Sequence, residues 1–205
     1  LDATKNINYK LFINCGSSSE YGRKIHPMSE SDILEPQTMY EGTKSACTMI
    51  GRSFSYTYKK PIVTIRPFSV YGRFEKPHRF IPTLFNRFET KQPVTISPGV
   101  HDFIHIDDFI DGMISIMFST NIELGDVINL GTGIQYTNLE VYKILSKIYK
   151  YEIDIDLIGA RLRTFDSNNW VADISKAKKQ FGFQPVYDLE SGLYQCYIER
   201  KNGSN

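Results

Sequence analysis

Short apolar runs that stop at small residues, alternating with segments of helical spacing, set the limits on how this chain can fold. "KLFINCG" (10–16) ends at Gly16 and a serine cluster, and "PIVTIRPF" (61–68) ends at a second loop. Between them, Met39 to about Tyr58 has the spacing of a helix and stops before Lys60-Pro61, since proline disfavours a helical residue ahead of it. Strand, helix and strand in that order predict an α/β architecture, and the alternation continues along the chain. Further strands are predicted at "PVTI", "DFIHI", "DVINLG" (126–131) and "EIDIDLI" (152–158). Helices are predicted over 81–90, 107–119, 137–150, 173–182 and 188–200, with a loop over 22–39. Thr137 and Glu140 form a capping box for the fourth of the six helices, with Leu139, Val141, Ile144, Leu145 and Ile148 inward. Asp107 and Asp108 read as caps of the 107–119 helix, and Trp170 as core or edge packing.

Bulk composition narrows the partners. A chain of 205 residues with 24 basic and 23 acidic side chains, net charge +1, offers no electrostatic case for a nucleic acid or a membrane. Its length suits one domain with a small lobe attached. Cys15, Cys47 and Cys196 lie far apart, as reduced thiols in a cytoplasmic protein do. The four histidines show no metal-ligand spacing apart from His101 and His105, which flank a strand-like run, so no metal site is expected. No apolar run is of transmembrane length. The sequence begins at Leu1 in what reads as the tail of a helix, which suggests a piece of a longer chain.

A dinucleotide-binding βαβ unit needs a glycine-rich turn after its first strand, where backbone approaches the pyrophosphate. "NLGTGIQYTN" has Gly131 and Gly133 but no third glycine at the right offset. It reads as a strand-to-helix turn.

Three Tyr/Lys pairs stand four residues apart: Tyr40/Lys44, Tyr56/Lys60 and Tyr197/Lys201. Spacing alone does not choose between them. Tyr40/Lys44 opens a helix between two strands, one ending in "GSSSEYG" (16–22) and the other in "IRPFSVYG" (65–72), whose ends converge on one edge of the sheet. On a helix the two side chains share a face, and the ammonium favours the phenolate form of the tyrosine.

Taken in order, "GSSSEYG", "PMSESDILEP", "YEGTK", "IRPFSVYGRFEKPHRFIPTL", "HDFIHIDDFIDGM", "INLGTG" and "ADISKAKKQFGFQP" resemble the extended short-chain dehydrogenase/reductase superfamily. Within it they are similar to the nucleotide-sugar epimerases, dehydratases and ketoreductases. The resemblance implies the C-terminal part of a Rossmann-like parallel sheet with a small α/β substrate-binding lobe. Residues 1–72 would hold the second half of the dinucleotide fold and the catalytic pair. Residues 73–205 would form mainly the substrate lobe, with 94–131 partly returning to the sheet. A glycine-rich half, on the order of 100 residues, would precede this chain.

By the same resemblance the cofactor is NAD or NADP, and the substrate is a nucleotide-diphosphate sugar. Tyr40 is the acid/base, Lys44 also binds the nicotinamide ribose, and Ser17 hydrogen-bonds the reacting oxygen. Pro67, Phe68 and Ser69 lie near the nicotinamide. Ser18, Ser19, Ser69, Arg79, His101, Arg161 and Arg163 are the substrate-side candidates. Two positions depart from the pattern, Ser69 where members often have Asn and His101 where they often have Arg. Each still offers a hydrogen bond to a phosphate, without arginine's fork. Where the 4,6-dehydratases carry an Asp-Glu pair, this chain has Ser18 and Ser19, and Glu20 falls one residue late. That favours epimerisation, or reduction of a 4-keto-6-deoxy sugar nucleotide, over dehydration. A non-catalytic sugar-nucleotide-binding module is the alternative of a different class. Members commonly dimerise through the Tyr40 helix, and Gly42, Ser45 and Ala46 would allow close packing there, so a homodimer is expected.

Overall fold

The computed structural model describes residues 1–156 and 168–203. Its N-terminal residues form a single 3₁₀ turn, Asp2–Thr4, ahead of β1 (Phe12–Cys15). Helix α1 (Met39–Tyr58) starts at a capping box in which Thr38 accepts from the Glu41 amide and Glu41 from the Thr38 amide. It closes at Lys59 in the left-handed conformation, φ 52°, just before Pro61. Strand β2 (Ile62–Pro67) then returns parallel to β1, with Phe12 opposite Ile62 and Cys15 opposite Ile65. β2 is buried over almost its whole length, with Thr64 and Arg66 interrupting an otherwise apolar run.

The two faces of β2 follow the alternation of a strand. Ile62 and Thr64 face α1 beside Gly51, and Asn14 donates to Thr64 at 3.1 Å. Val63 and Ile65 face the opposite layer, packed with Ile104, Ile116 and Phe183.

Past β2 the chain builds the lobe. Short β3 (Ser69–Tyr71) leads to α2 (Phe80–Thr90), followed by β4 (Val94–Thr95), β5 (Val100–His101) and β6 (Phe103–His105). After α3 (Ile106–Met117), β7 (Asp126–Leu130) rejoins the sheet beside β2, in parallel, giving the order β1-β2-β7. Then come β8 (Tyr136–Thr137), α4 (Asn138–Tyr149), β9 (Ile155–Asp156), α5 (Ser175–Phe181) and α6 (Leu189–Lys201). The small strands pair two by two: β3 with β6, β4 with β9, and β5 antiparallel with β8. The strand expected over 152–158 covers Ile155–Asp156, and its last two residues lie outside the described ones. Side chains from α2, α4 and α6 make the lobe core around Phe85, Phe88, Val141 and Leu193. The capping box at Thr137 and Glu140 is present. Tyr142 joins the buried set, its hydroxyl donating to the Ile153 carbonyl at 2.7 Å.

Two expectations are corrected. The cap of α3 is His105, whose Nδ1 accepts from the Asp107 amide, rather than Asp107 or Asp108. Asp108 is buried and clamps the later chain, accepting from the amides of Val186 at 2.8 Å and Tyr187 at 3.0 Å. The second concerns α1. Ser45 turns inward with Thr48, Gly51 and Ser55, so it is not free for a partner helix. The outward face carries Met39, Met49, Ile50 and Tyr56, all at least half exposed. A helix that buries small polar residues and exposes large apolar ones reverses the usual amphipathic pattern. No helix among the described residues is long and apolar enough to cross a membrane.

Candidate active site

Helix α1 presents Tyr40 and Lys44 in its first two turns. Tyr40 is 58% exposed. The Lys44 ammonium lies 6.0 Å from the Tyr40 ring centroid and donates to the Cys15 carbonyl at 2.9 Å. Cys15 is the last residue of β1, two before Ser17, so this bond fastens the pair to the C-terminal edge of the sheet. The two lookalike pairs go elsewhere. Lys60 donates to the Ile7 carbonyl at 2.9 Å and lies over Tyr9. Lys201 lies over Tyr197, which packs on the lobe core.

After β1 the serines form a tight 3₁₀ turn, Ser18–Tyr21, capped by Ser17. The Ser17 hydroxyl accepts from the Ser19 amide at 3.2 Å and shares a 2.8 Å hydrogen bond with the Ser19 hydroxyl. Ser18 departs from the expected substrate contact: it is buried at 6% exposure, its hydroxyl accepting from the Trp170 indole at 3.3 Å. Phe68 is buried in a cluster with Tyr21 and Met28. Pro67 ends β2 and Ser69 begins β3 at the same edge.

Glu20 is fully buried. One of its oxygens accepts from the Ser17 amide at 2.8 Å, and the other from Arg66 Nε at 3.0 Å and Nη2 at 2.9 Å. A Cβ on Gly16 would lie 2.5 Å from the first oxygen, so glycine is required there. Both oxygens are committed, and Glu20 is not available as the acid or base of an elimination. The Arg66 guanidinium stacks 4.5 Å from the Tyr21 ring centroid, and the Tyr21 hydroxyl donates to Asn129 at 2.7 Å. Burial pushes the Tyr21 phenol up to about 12 against the pull of Arg66, so it stays protonated and does not compete with Tyr40 as a base.

Across the loop lies a cavity of about 480 Å³, lined by Ser69, Glu75, Arg79, Ser97, His101 and Asn138 among others. Three expected substrate-side residues, Ser69, Arg79 and His101, thus meet in one cleft. The Ser69 hydroxyl stands 3.4 Å from His101 Nδ1. Arg161 and Arg163 lie outside the described residues.

Glu75, which sequence reasoning missed, forms part of that wall. It pairs with Arg79 at 3.5 Å, and its second oxygen is buried with no partner among the described residues. Burial pushes its carboxyl up to about 7, opposed by the partly exposed Arg79. A carboxyl raised on folding stabilises the protein fully below its unfolded pKa, and that stability is lost as pH rises through the folded value. Glu75→Gln is therefore expected to gain on the order of 1 kcal/mol over the wild type at pH 8 and nothing at pH 4, read from denaturant midpoints at the two pH values. Equal midpoint differences at both would contradict the placement.

Asp102 was also missed. It is fully buried and accepts from the Thr132 amide and hydroxyl, both at 2.7 Å, the Gly133 amide at 2.9 Å and the Ala172 amide at 3.1 Å. Burial raises its carboxyl, against the pull of these donors. The "NLGTG" turn is thus built around a carboxylate of the protein itself, and the two amides a phosphate would use are taken. A Cβ at Gly131 would come within 2.7 Å of Asp102 Oδ2, which explains that glycine.

One cysteine sits beside a histidine. Cys196 Sγ is 3.7 Å from His105 Nε2, and His105 Nδ1 is 3.6 Å from an Asp107 carboxylate oxygen. Burial raises the Cys196 thiol to about 12 and lowers His105. His105 Nδ1 accepts from the Asp107 amide, so its proton sits on Nε2, facing the sulfur. The imidazole therefore has no lone pair for the thiol proton, and the trio is packing rather than a nucleophile. Among the described residues no group of three or more side chains could hold a metal ion.

A profile of the NAD dependent epimerase/dehydratase family matches residues 1–131, and the chain belongs to that family. It is 29% identical to the UDP-glucuronic acid 4-epimerase of Bacillus cereus, solved in complex with UDP-glucuronic acid and NAD. The TM-score is 0.90, over 98% of this chain and 64% of that one. An uncharacterized UDP-glucose epimerase, YtcB, of Bacillus subtilis is 28% identical over 200 residues, 94% of this chain and 61% of its own length. A UDP-glucuronate 4-epimerase of Thermodesulfobacterium geofontis is 26% identical over 198 residues, 94% of this chain and 60% of its own. The chain thus spans less than two thirds of the length of these relatives.

Proposed function

We propose that the protein is an NAD-dependent nucleotide-sugar 4-epimerase acting on a UDP-hexose or UDP-hexuronate. The observation that carries this reading is the exposed Tyr40 on a helix whose Lys44 is fastened to the strand end beside Ser17. Relatives named for 4-epimerisation, and a neighbour holding UDP-glucuronic acid and NAD, support the carbon, the substrate class and the cofactor.

Lys44, with donors left after its bond to Cys15, and the open Tyr40 face fit the nicotinamide-ribose end of NAD. The sequence contains no Gly-x-x-Gly-x-x-Gly segment for the pyrophosphate. When bound, the nicotinamide supplies hydride uptake and return. The chain's own residues handle the proton. Tyr40 takes it from the sugar hydroxyl as that carbon is oxidised, and gives it back when the ketone is reduced on the opposite face. Ser17 hydrogen-bonds the reacting oxygen, with Ser19 relaying to the Ser17 hydroxyl at 2.8 Å. Ser69, His101 and Arg79 receive the diphosphate, and His101 binds it more tightly once protonated.

The test is incubation of the full-length protein with UDP-glucuronic acid and, separately, UDP-glucose, with NAD. The C4 epimer is expected, with no net change in reduced nicotinamide. Consumption of one reduced nicotinamide per turnover of a 4-keto sugar would replace this reading with a ketoreductase. Binding without any turnover would replace it with a non-catalytic module.

The homodimer is part of the proposal and rests on the outward apolar face of α1. A dimer at micromolar concentration is expected in sedimentation, and Ile50→Glu is expected to give monomer by placing charge in the apolar contact. A wild-type monomer would end this part. The free thiols of Cys15 and Cys47, both exposed, fit the cytoplasm, where we place the protein.

A further inference from the structure

Trp170 is the single tryptophan of the chain and stands on a segment, 168–173, tied to the residues that build the cleft. Gln135 accepts from the Trp170 amide at 2.7 Å and donates to the Asn168 carbonyl at 3.3 Å. Asn169 donates to the His26 carbonyl at 2.7 Å, and Ala172 pairs with Met28 in a parallel bridge. Asp102 accepts from the Ala172 amide at 3.1 Å, while its own carbonyl accepts from the Ser69 amide at 2.9 Å. From this fixed segment the half-buried indole packs against the cluster of Tyr21, Met28, Phe68, Ala172 and Ile174, and its N–H donates to Ser18 at 3.3 Å. A buried hydroxyl and an indole N–H each need a partner, and here each supplies the other's.

The serine turn is thus held at three places, one of them the Ser17 amide, which donates to a Glu20 carboxylate oxygen at 2.8 Å. Glu20 is locked on Arg66 at its far end, and Ser18 on Trp170 at its near end. Ser17 precedes Ser18 directly, so its hydroxyl moves with any pivot of the turn about Glu20. We propose that Trp170 is a positioning residue, which through Ser18 fixes where the Ser17 hydroxyl stands for the reaction at Tyr40. Its catalytic part rests on the epimerase reading above. A misplacement of about 1 Å is enough to cost up to about 100-fold in rate.

Trp170→Phe keeps most of the ring and removes the N–H, and Ser18→Ala removes the acceptor. With UDP-glucuronic acid or UDP-glucose, whichever the wild type converts, each variant is expected to lose about tenfold in kcat. KM is expected to stay within about twofold, since the cleft residues are untouched. The double variant is expected to lose no more than either single one, because both remove the same bond. Unchanged kcat in either variant, or losses that multiply, would overturn the proposal. A merely packing tryptophan would shift the unfolding midpoint without this coupled loss in kcat.

If the wild type converts neither sugar, the epimerase reading fails and amide hydrogen exchange over residues 17–21 decides the positioning. Faster exchange in both single variants, with no further gain in the double, is the expected result. Exchange equal to wild type would overturn it.

Discussion

Tyr40→Phe is expected to lower UDP-sugar turnover by about 10²–10⁴-fold, the usual worth of a positioned acid/base. The phenyl ring keeps the shape and loses only the hydroxyl, and Tyr40 is exposed at the start of α1, so the fold has little to lose. Binding of the nucleotide sugar is expected to hold within about twofold, because Ser69, Arg79 and His101 line a separate wall. Stopped turnover with intact binding, measured by calorimetry beside the rate assay, checks the assignment. The same substitution at Tyr56 is expected to do nothing to the rate, since Lys60 is engaged with Ile7 and Tyr9. A Tyr40→Phe enzyme with wild-type kcat would remove Tyr40 from the chemistry.

Arg66→Met is expected to cost about 3–5 kcal/mol of stability, because it strands the Glu20 carboxylate in the interior. Glu20 is fully buried and Arg66 is 2% exposed, so no water can take over the charge. Against a total of about 5–15 kcal/mol for a domain, a loss of that size brings the protein close to unfolding. The exposed pair of Arg200 and Glu89 gives the contrast. Its side chains are 24% and 36% exposed, and Arg200→Met is expected to cost about 1 kcal/mol or less beyond the loss of the guanidinium's contact with the Phe85 ring, 5.2 Å from its centroid. Removing both charges, as Glu20→Gln with Arg66→Met, is expected to recover part of the stability, since the stranded charge is gone. Denaturant midpoints of the three proteins measure this. Because Glu20 also holds the Ser17 amide, Arg66→Met is expected to slow turnover even where the protein remains folded.

Much of the fold was legible from apolar runs and their stops. The alternation at "PIVTIRPF", the proline after α1 and the capping box at Thr137 each act within a few residues, and each element is found where those signals place it. The spacing of Tyr40 and Lys44 recurs at Tyr56/Lys60 and Tyr197/Lys201, and only the first pair lies beside the strand end at Cys15 and Ser17. What stayed hidden depends on partners far away in sequence. Glu20 meets Arg66 across 46 positions, Asp102 reaches Ala172 across 70, and Ser18 meets Trp170 across 152. A serine cluster shows that hydroxyls are present but not which of them turns inward. Ser18 and Phe68 are buried while Ser17, Ser19 and Ser69 beside them are half-buried, a difference set by packing from elsewhere in the chain. Ser45 was misjudged because small residues serve equally to approach a partner helix or the protein's own sheet.

Turnover in D₂O tests most directly whether Tyr40, Lys44 and Ser17 serve oxidation and return without elimination. In a 4-epimerase the hydrogen removed from the sugar carbon is the one returned to its other face, and solvent reaches only the exchangeable hydroxyls. The expected product, seen by mass spectrometry after back-exchange and located by NMR, carries no carbon-bound deuterium. Deuterium on the ring carbon next to the oxidised one would show enolisation, and a product lighter by one water would show elimination; either result would contradict oxidation and return alone at Tyr40, Lys44 and Ser17.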